Sequence, residues 1–235
     1  MEDIGKKESD KWRLIDIVLS VLAAAIVAYG VLVLKWSVFV VVALFWFENV
    51  VIGVLNVAKM LVTGARLGSA ALIGALALAA FFTVHYGLFT VTHGIFVVAL
   101  FGESELGKST AGFFAPLSQM IGYLFADRDA WLAAILITML QGAAFVRWLG
   151  STNHHIANLP ALMFAPYGRI VILHITIIAS GILVLALKAP VAGALLLVAL
   201  KLVFDLKAVK IGPSAPKLAK FDRMFTPAQD DARRP

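Results

Sequence analysis

The chain of 235 residues contains no cysteine and few charged residues. The absence of cysteine excludes disulfide bonds, thiolate metal ligands and cysteine nucleophiles, so any catalysis or metal binding relies on His, carboxylates, hydroxyls or a bound cofactor. Charged residues make up only 14% of the chain and hydrophobic residues 61%, and the mean hydropathy is +0.94. These values lie far outside the balance of soluble domains, so the composition predicts a membrane protein.

The hydrophobic residues form runs of about 20 residues or more, the length that crosses a bilayer as a helix. They predict an all-α, polytopic membrane bundle whose six spans lie at 14–34, 37–61, 70–101, 130–148, 170–187 and 189–206. The predicted domains are an N-terminal segment 1–13, a six-span membrane domain 14–208 and a basic tail 209–235. A further helix near 112–125 has an apolar face, which indicates an interfacial or re-entrant element or, alternatively, an ordinary lid over the bundle.

The net charge of +6 is distributed unevenly between the two sides of these spans. Lys and Arg concentrate before the first span, in the second and fourth connections and in the tail, whereas the loop 102–129 is mainly acidic. Since positive loops stay in the cytoplasm, both termini are expected there. The same distribution favours contact of the basic tail with anionic lipids and excludes nucleic acid as the partner.

A group of polar residues inside the second span is the first indication of a functional site. Glu48, Asn49, Asn56 and Lys59 fall within an arc of about 100° when the span is helical. An ionised side chain at mid-span costs roughly 2.5–3.5 kcal/mol on insertion scales, so this face is expected to point into the bundle or into a watery cavity.

Three histidines in the third and fifth spans are further candidate residues of this site. His85, next to Tyr86, is expected near mid-membrane, where it would contact Glu48. His93 is expected nearer the outer face, and His174 nearer the cytoplasm, close to the level of Asn56 or Lys59. These residues predict a site that binds a metal ion or handles protons. The cofactor is left open, with a divalent metal ion as one hypothesis.

Several polar residues have simpler interpretations. Lys201 and Asp205, one turn apart, are interpreted as a snorkelling pair at the interface. The adjacent His154 and His155 are expected to be solvated in a loop. Hydrogen bonding between helices is the preferred interpretation for a further group, namely Asn49, Asn56, Thr90, Thr92 and Gln141.

Known motifs exclude some enzyme classes. The chain has no HExxH, no Walker A loop and no dinucleotide fingerprint. Ala179-Ser180-Gly181 is similar to part of a rhomboid nucleophile motif, but no His follows His174 to act as a base. A rhomboid-like, inactive scaffold remains an alternative by span count alone.

The segments FWFENVVIGVLNVAKML, APYGRIVILHITIIASGILVLAL and LVALKLVFDL resemble those of an uncharacterised family of bacterial multi-pass membrane proteins, a domain of unknown function. The likeness covers about residues 36 to 210, and Ser180-Gly181 departs from a Gly pair expected there. The resemblance implies a location in the bacterial inner membrane and no established activity.

Two hypotheses therefore remain from the sequence. In the first, Glu48, His85, His93 and His174 form the metal or proton site of a membrane enzyme or small transporter, supported by Asn49, Asn56, Lys59 and Tyr86. In the second, the polar residues hold helices together in a non-catalytic membrane subunit that docks a protein partner or a second copy of the chain. Whether the protein is an enzyme is left open.

Overall fold

The computed structural model describes residues 2–107, 112–150, 159–168, 171, 174–175 and 190–211. Within these ranges the fold is all-helical and has no strand, as predicted. The helices are α1 (Glu2–Leu32), α2 (Val38–Leu67), α3 (Ser69–Phe101), α4 (Glu103–Leu106), α5 (Ala115–Ala126), α6 (Arg128–Gly150), α7 (Leu159–Phe164) and α8 (Pro190–Ile211).

Three helices, α2, α3 and α6, are long and apolar enough to cross a membrane, and α1 contains a shorter apolar stretch, Ile17–Leu32. This fits a membrane protein. The predicted spans 37–61, 70–101 and 130–148 overlap α2, α3 and α6, and residues 190–206 of the predicted last span belong to α8. Most of the predicted fifth span and the tail after residue 211 lie outside the described residues, as do His154 and His155.

Helix α2 occupies the centre of the bundle. It packs most extensively against α3, and also against α5, α6, α7 and α8. The residues 38–46 are buried on every side of the helix. A helix that is apolar all round is surrounded by other elements, so the absence of a polar stripe in VFVVVALFW explains its central position.

Local signals fix the ends of the central helices. The Ser37 hydroxyl accepts a hydrogen bond from the backbone N–H of Val40 and caps α2. Gly68 separates α2 from α3 with a φ of 111°, a conformation that a side chain would strain. The two long helices therefore form a hairpin joined by one residue.

The predicted helix near 112–125 is present as α5, which is too short to cross a bilayer. Pro116 lies in its first turn, where a proline removes no helical hydrogen bond. Asp127 then caps α6, since its Oδ1 accepts a hydrogen bond from the Ala130 backbone N–H at 2.8 Å. Helix α5 packs on α3 and α6 and closes one end of the bundle.

Candidate functional site

A buried carboxylate in the middle of α2 is the centre of the site. Glu48 is 2% exposed. Its Oε2 lies 2.7 Å from the Lys201 Nζ of α8, and its Oε1 accepts a hydrogen bond of 2.7 Å from the Gln141 Nε2 of α6. Glu48 therefore joins three helices that are far apart in sequence.

Lys201 is shared by two carboxylates. Its Nζ lies 2.9 Å from the Asp205 Oδ2, one turn along α8, and 5.4 Å from the centre of the Phe45 ring. The Lys201–Asp205 pair predicted from the sequence is present, but its interpretation as a snorkelling pair is wrong. The Lys201 side chain is only 13% exposed and points to Glu48, because the carboxylate offers the ammonium a partner inside the bundle.

We call Glu48, Lys201, Asp205 and Gln141 the charged cluster. With both carboxylates ionised its formal charge is −1, since two negative groups share one ammonium. Such pairs are stronger than neutral hydrogen bonds, but desolvation opposes the gain. Uptake of one proton by the cluster would make it neutral.

A polar cavity of about 250 Å³ borders the charged cluster. Glu48, Gln141 and Asp205 lie on its wall. It extends to the region of Lys59, whose Nζ lies 5.6 Å from the centre of the Trp148 ring. The other residues that line it are Leu19, Ser20, Ala23, Leu140, Ala144 and Arg147. Of the four residues on the predicted polar face of α2, Glu48 and Lys59 therefore line this cavity.

The predicted contact between Glu48 and His85 is wrong. His85 is exposed, and its ring packs at 5.4 Å and 5.2 Å from the ring centres of Phe81 and Phe89. The neighbouring Tyr86 faces α2 instead, and successive residues of a helix differ by about 100°. Because Tyr86 occupies the interface, His85 turns away from Glu48.

Tyr86 and Asn49 connect α2 to α3. The Tyr86 hydroxyl donates to the Asn49 backbone oxygen at 3.0 Å, and the Asn49 side chain donates to the Phe45 backbone oxygen at 2.8 Å. Gly53 makes room for the ring, since a Cβ there would lie 2.6 Å from the Tyr86 Cε1. These contacts hold α2 against α3, but the Asn49 side chain bonds within α2, so the prediction that it links two helices is wrong.

Asn56 links α2 to α7. Its Nδ2 donates to the Leu162 backbone oxygen at 2.9 Å, and the side chain is buried. This hydrogen bond also agrees with the simpler interpretation, so Asn56 lies outside the charged cluster.

His93 and His174 meet each other. The His174 Nδ1 lies 2.5 Å from the His93 Nε2, and the His93 Nδ1 lies 2.7 Å from the Phe89 backbone oxygen. A carbonyl oxygen only accepts, so the His93 Nδ1 carries a proton. In the neutral pair, the His174 Nδ1–H then donates a hydrogen bond to the His93 Nε2.

The predicted depth of His174 is therefore wrong. It lies at the level of His93 and not near Asn56 or Lys59. The prediction began the fifth span at residue 170, but the chain is already helical at Leu159, in contact with Asn56 of α2 through Leu162.

The four predicted site residues thus divide between separate places, with Glu48 in the charged cluster, His85 on the exposed face of α3, and His93 with His174. Among the described residues, no three His, Asp or Glu side chains are grouped so that they could hold a metal ion. The cluster also contains Gln141, whose hydrogen bond links α6 to α2 as the sequence interpretation expected, and Lys201 and Asp205, which that interpretation placed at the membrane interface. A sequence signal existed for Lys201 and Asp205, since both are charged residues within an apolar segment.

Comparison with known proteins places the chain in a family but gives no activity. The family model described as a family of unknown function, DUF6498, matches residues 6–220. No curated protein and no solved structure matches the chain significantly.

Proposed function

This chain belongs to DUF6498, a family of unknown function, and we propose from its geometry that it is a membrane protein that takes up and releases protons at Glu48. The observation that carries the proposal is that Glu48 has two environments at once. It pairs with Lys201 inside the bundle and lies on the wall of a polar cavity.

The shared ammonium makes a change in the charge of Glu48 tolerable. If Glu48 gains a proton, Lys201 still has Asp205 at 2.9 Å, so no buried ammonium is left without a counter-ion. If Glu48 loses the proton, Lys201 and the Gln141 amide stabilise the carboxylate. An isolated carboxylate–ammonium pair lacks this property, because protonation of its one carboxylate would leave the charged partner uncompensated.

The cavity provides the route that such a group requires. A proton reaches a buried carboxylate through water, and the cavity is large enough for several water molecules at about 30 Å³ each. Its polar wall supplies the two to four hydrogen-bonding partners that a buried water needs.

The proposed setting is a bacterial inner membrane with six spans and both termini in the cytoplasm. The positive connections and tail support this orientation. In it the Lys59 end of the cavity faces the cytoplasm, and the basic tail contacts anionic lipids.

Infrared difference spectroscopy of the purified full chain tests the proposal. A protonated carboxyl has a C=O stretching band that the carboxylate lacks. We expect the titrating C=O band of the native protein to contain a component that is absent from Glu48→Gln. The exposed Glu105→Gln serves as the matched control and should leave this component unchanged. A titrating carboxyl band of equal intensity in the native protein and in Glu48→Gln would contradict the proposal.

The rival function is a non-catalytic membrane subunit whose charged cluster holds helices together or docks a protein partner. The observation that favours it is that Glu48 ties α2 to both α6 and α8. In this case Glu48→Gln lowers the unfolding temperature or releases a co-purifying protein, and the titrating carboxyl band has no component that depends on Glu48.

Metal binding at the His93–His174 pair stays a prediction. Two imidazole nitrogens that bind one zinc ion lie about 2.0–2.1 Å from it, and a structural site needs four ligands. Elemental analysis of purified protein, compared with His93→Gln, tests it. An equal metal content in the two proteins would contradict this prediction.

A further inference from the structure

An apolar groove runs between α1 and α6 and is open along one side. Its volume is about 590 Å³, within the range of about 300–1,000 Å³ that ligand sites in proteins have. Leu22, Ala25 and Ile26 of α1 line it on one side, and Leu132 and Leu136 of α6 on the other. The three leucines remain 46–47% exposed. Within the described part of the chain, these side chains therefore lack an apolar partner on the open side.

The groove has the depth of one lipid leaflet. It follows α1 from Leu22 past the end of the helix at Leu32, and these ten positions correspond to about 15 Å. The hydrocarbon core of a bilayer is about 30 Å thick, so each leaflet contributes about 15 Å. In the proposed orientation the mouth of the groove lies at the outer surface, because α1 begins in the cytoplasm. An occupant of this shape is extended and lies parallel to the helices.

The mouth of the groove holds a tryptophan and charges of both signs. The Trp36 backbone N–H donates to the Gly30 oxygen at 3.0 Å, and a Cβ at Gly30 would collide with the Trp36 ring, so the indole lies against the end of α1. Asp129 of α6 lines the groove here. Lys35 precedes Trp36, and its Nζ donates to the Leu32 oxygen at 2.7 Å, which keeps the ammonium at the same end of α1. Among the described residues, neither Asp129 nor Lys35 belongs to an ion pair.

We propose that the groove binds one acyl chain of a phospholipid whose headgroup carries an amine, of the phosphatidylethanolamine type. The chain lies between α1 and α6, and the headgroup lies at the mouth, with its ammonium toward Asp129 and its phosphate toward Lys35. A phospholipid without an amine leaves the Asp129 carboxylate next to a negative group, and like charges repel. Asp129 and Lys35 are exposed, so this preference amounts to only about threefold in binding.

Other occupants fit the groove less well. Apolar cavities stay dry because they offer water no hydrogen-bonding partners, and an empty void forfeits the dispersion contacts of the side chains around it. A helix of a second copy is about 10–12 Å wide, so a length of 15 Å occupies more than about 1,000 Å³ and exceeds the groove. An acyl chain is narrower and flexible, and it can fill the groove to its inner end.

The proposal goes beyond proton uptake at Glu48 and does not depend on it. The inner end of the groove lies at Leu22 and Leu136, and about one turn further along the same helices Leu19 and Leu140 line the polar cavity. The two spaces are thus neighbours between α1 and α6, and no described residue lines both. A bound chain fills the groove and leaves Glu48 untouched.

Native mass spectrometry of the full chain released from nanodiscs tests the headgroup preference. The discs contain phosphatidylethanolamine and phosphatidylglycerol in equal amounts and with identical acyl chains. We expect one retained phospholipid per chain, with phosphatidylethanolamine favoured about threefold. Asp129→Asn should bring this ratio close to one without abolishing retention, because the groove itself is unchanged.

A variant that fills the groove tests the position of the acyl chain. Ala25 is exposed on the wall of the groove, so Ala25→Phe places a ring in the space of the chain. Retention should fall about tenfold, since the loss of about ten van der Waals contacts suffices for this factor. Leu136→Trp fills the same groove and replaces Ala25→Phe if that variant does not fold. Ala77→Phe, at an exposed position of α3 outside the groove, is the matched control and should retain the lipid.

The proposal is overturned if the groove-filling variant retains as much phospholipid as the native chain, or if the two lipids are retained in the proportion of the disc. It is also overturned if the native chain is a dimer that Ala25→Phe converts to a monomer, since a second copy then occupies the groove. The Glu48 component of the titrating carboxyl band should be unchanged in Ala25→Phe. Failure of the lipid proposal is therefore distinguishable from failure of the proton-handling function.

Discussion

Removal of the shared ammonium by Lys201→Met is the most informative perturbation of the charged cluster. It leaves Glu48 and Asp205 as two buried carboxylates without their common counter-ion. Loss of one member of a buried ion pair costs about 3–5 kcal/mol. The adjoining polar cavity has room for water that would screen the remaining charges, so we expect the lower part of this range.

A double-mutant cycle separates the pairwise interaction from other effects of the substitution. Glu48→Gln retains the shape of the side chain and an oxygen that can accept from Gln141. The combined variant Glu48→Gln/Lys201→Met has one buried carboxylate fewer than Lys201→Met alone. We therefore expect it to be more stable than the sum of the single effects, with a coupling energy of about 2 kcal/mol.

The measurement is reversible unfolding in mixed micelles, followed by circular dichroism, for the native protein, both single variants and the double variant. Glu105→Gln, an exposed carboxylate in α4, is the control and should change the free energy of unfolding by less than about 0.5 kcal/mol. A coupling energy below about 0.5 kcal/mol would refute the view that Glu48 and Lys201 interact directly.

Three further predictions concern the surrounding helices. Gly53→Ala should lower stability by about 1–3 kcal/mol because its Cβ would displace Tyr86, whereas the control Gly87→Ala, which meets open space, should be neutral or stabilising in the same unfolding assay. Asp127→Ala should cost about 1 kcal/mol and speed hydrogen exchange in the first turn of α6, and unchanged exchange would argue against the cap. Neutral His93 should carry its proton on Nδ1, which bonds the carbonyl one turn earlier, and ¹⁵N shifts that indicate an Nε2 proton would contradict the geometry.

Composition and hydrophobic run length were sufficient to predict the helical class and the positions of the long central helices. The bounds of α3 and α6 lie within two residues of their predicted spans, whereas α2 continues six residues beyond its span to Leu67. Local signals set these ends, namely Gly68 after α2 and the Asp127 cap before α6. The sequence also predicted Glu48 as a site residue, because it is a charged residue inside an apolar segment. An unpaired charge in hydrocarbon is costly wherever the helix lies.

The tertiary structure decided which side chains pair with Glu48. The sequence gives the angular position of Glu48 on its own helix, but not the rotation of α3 or the depth of α8 beside it. Because Tyr86 packs against Gly53, His85 faces outward, and Glu48 pairs with Lys201 and Gln141 from helices distant in sequence. Helical periodicity is a property of each segment, whereas the relative rotation of helices depends on how all their side chains pack together.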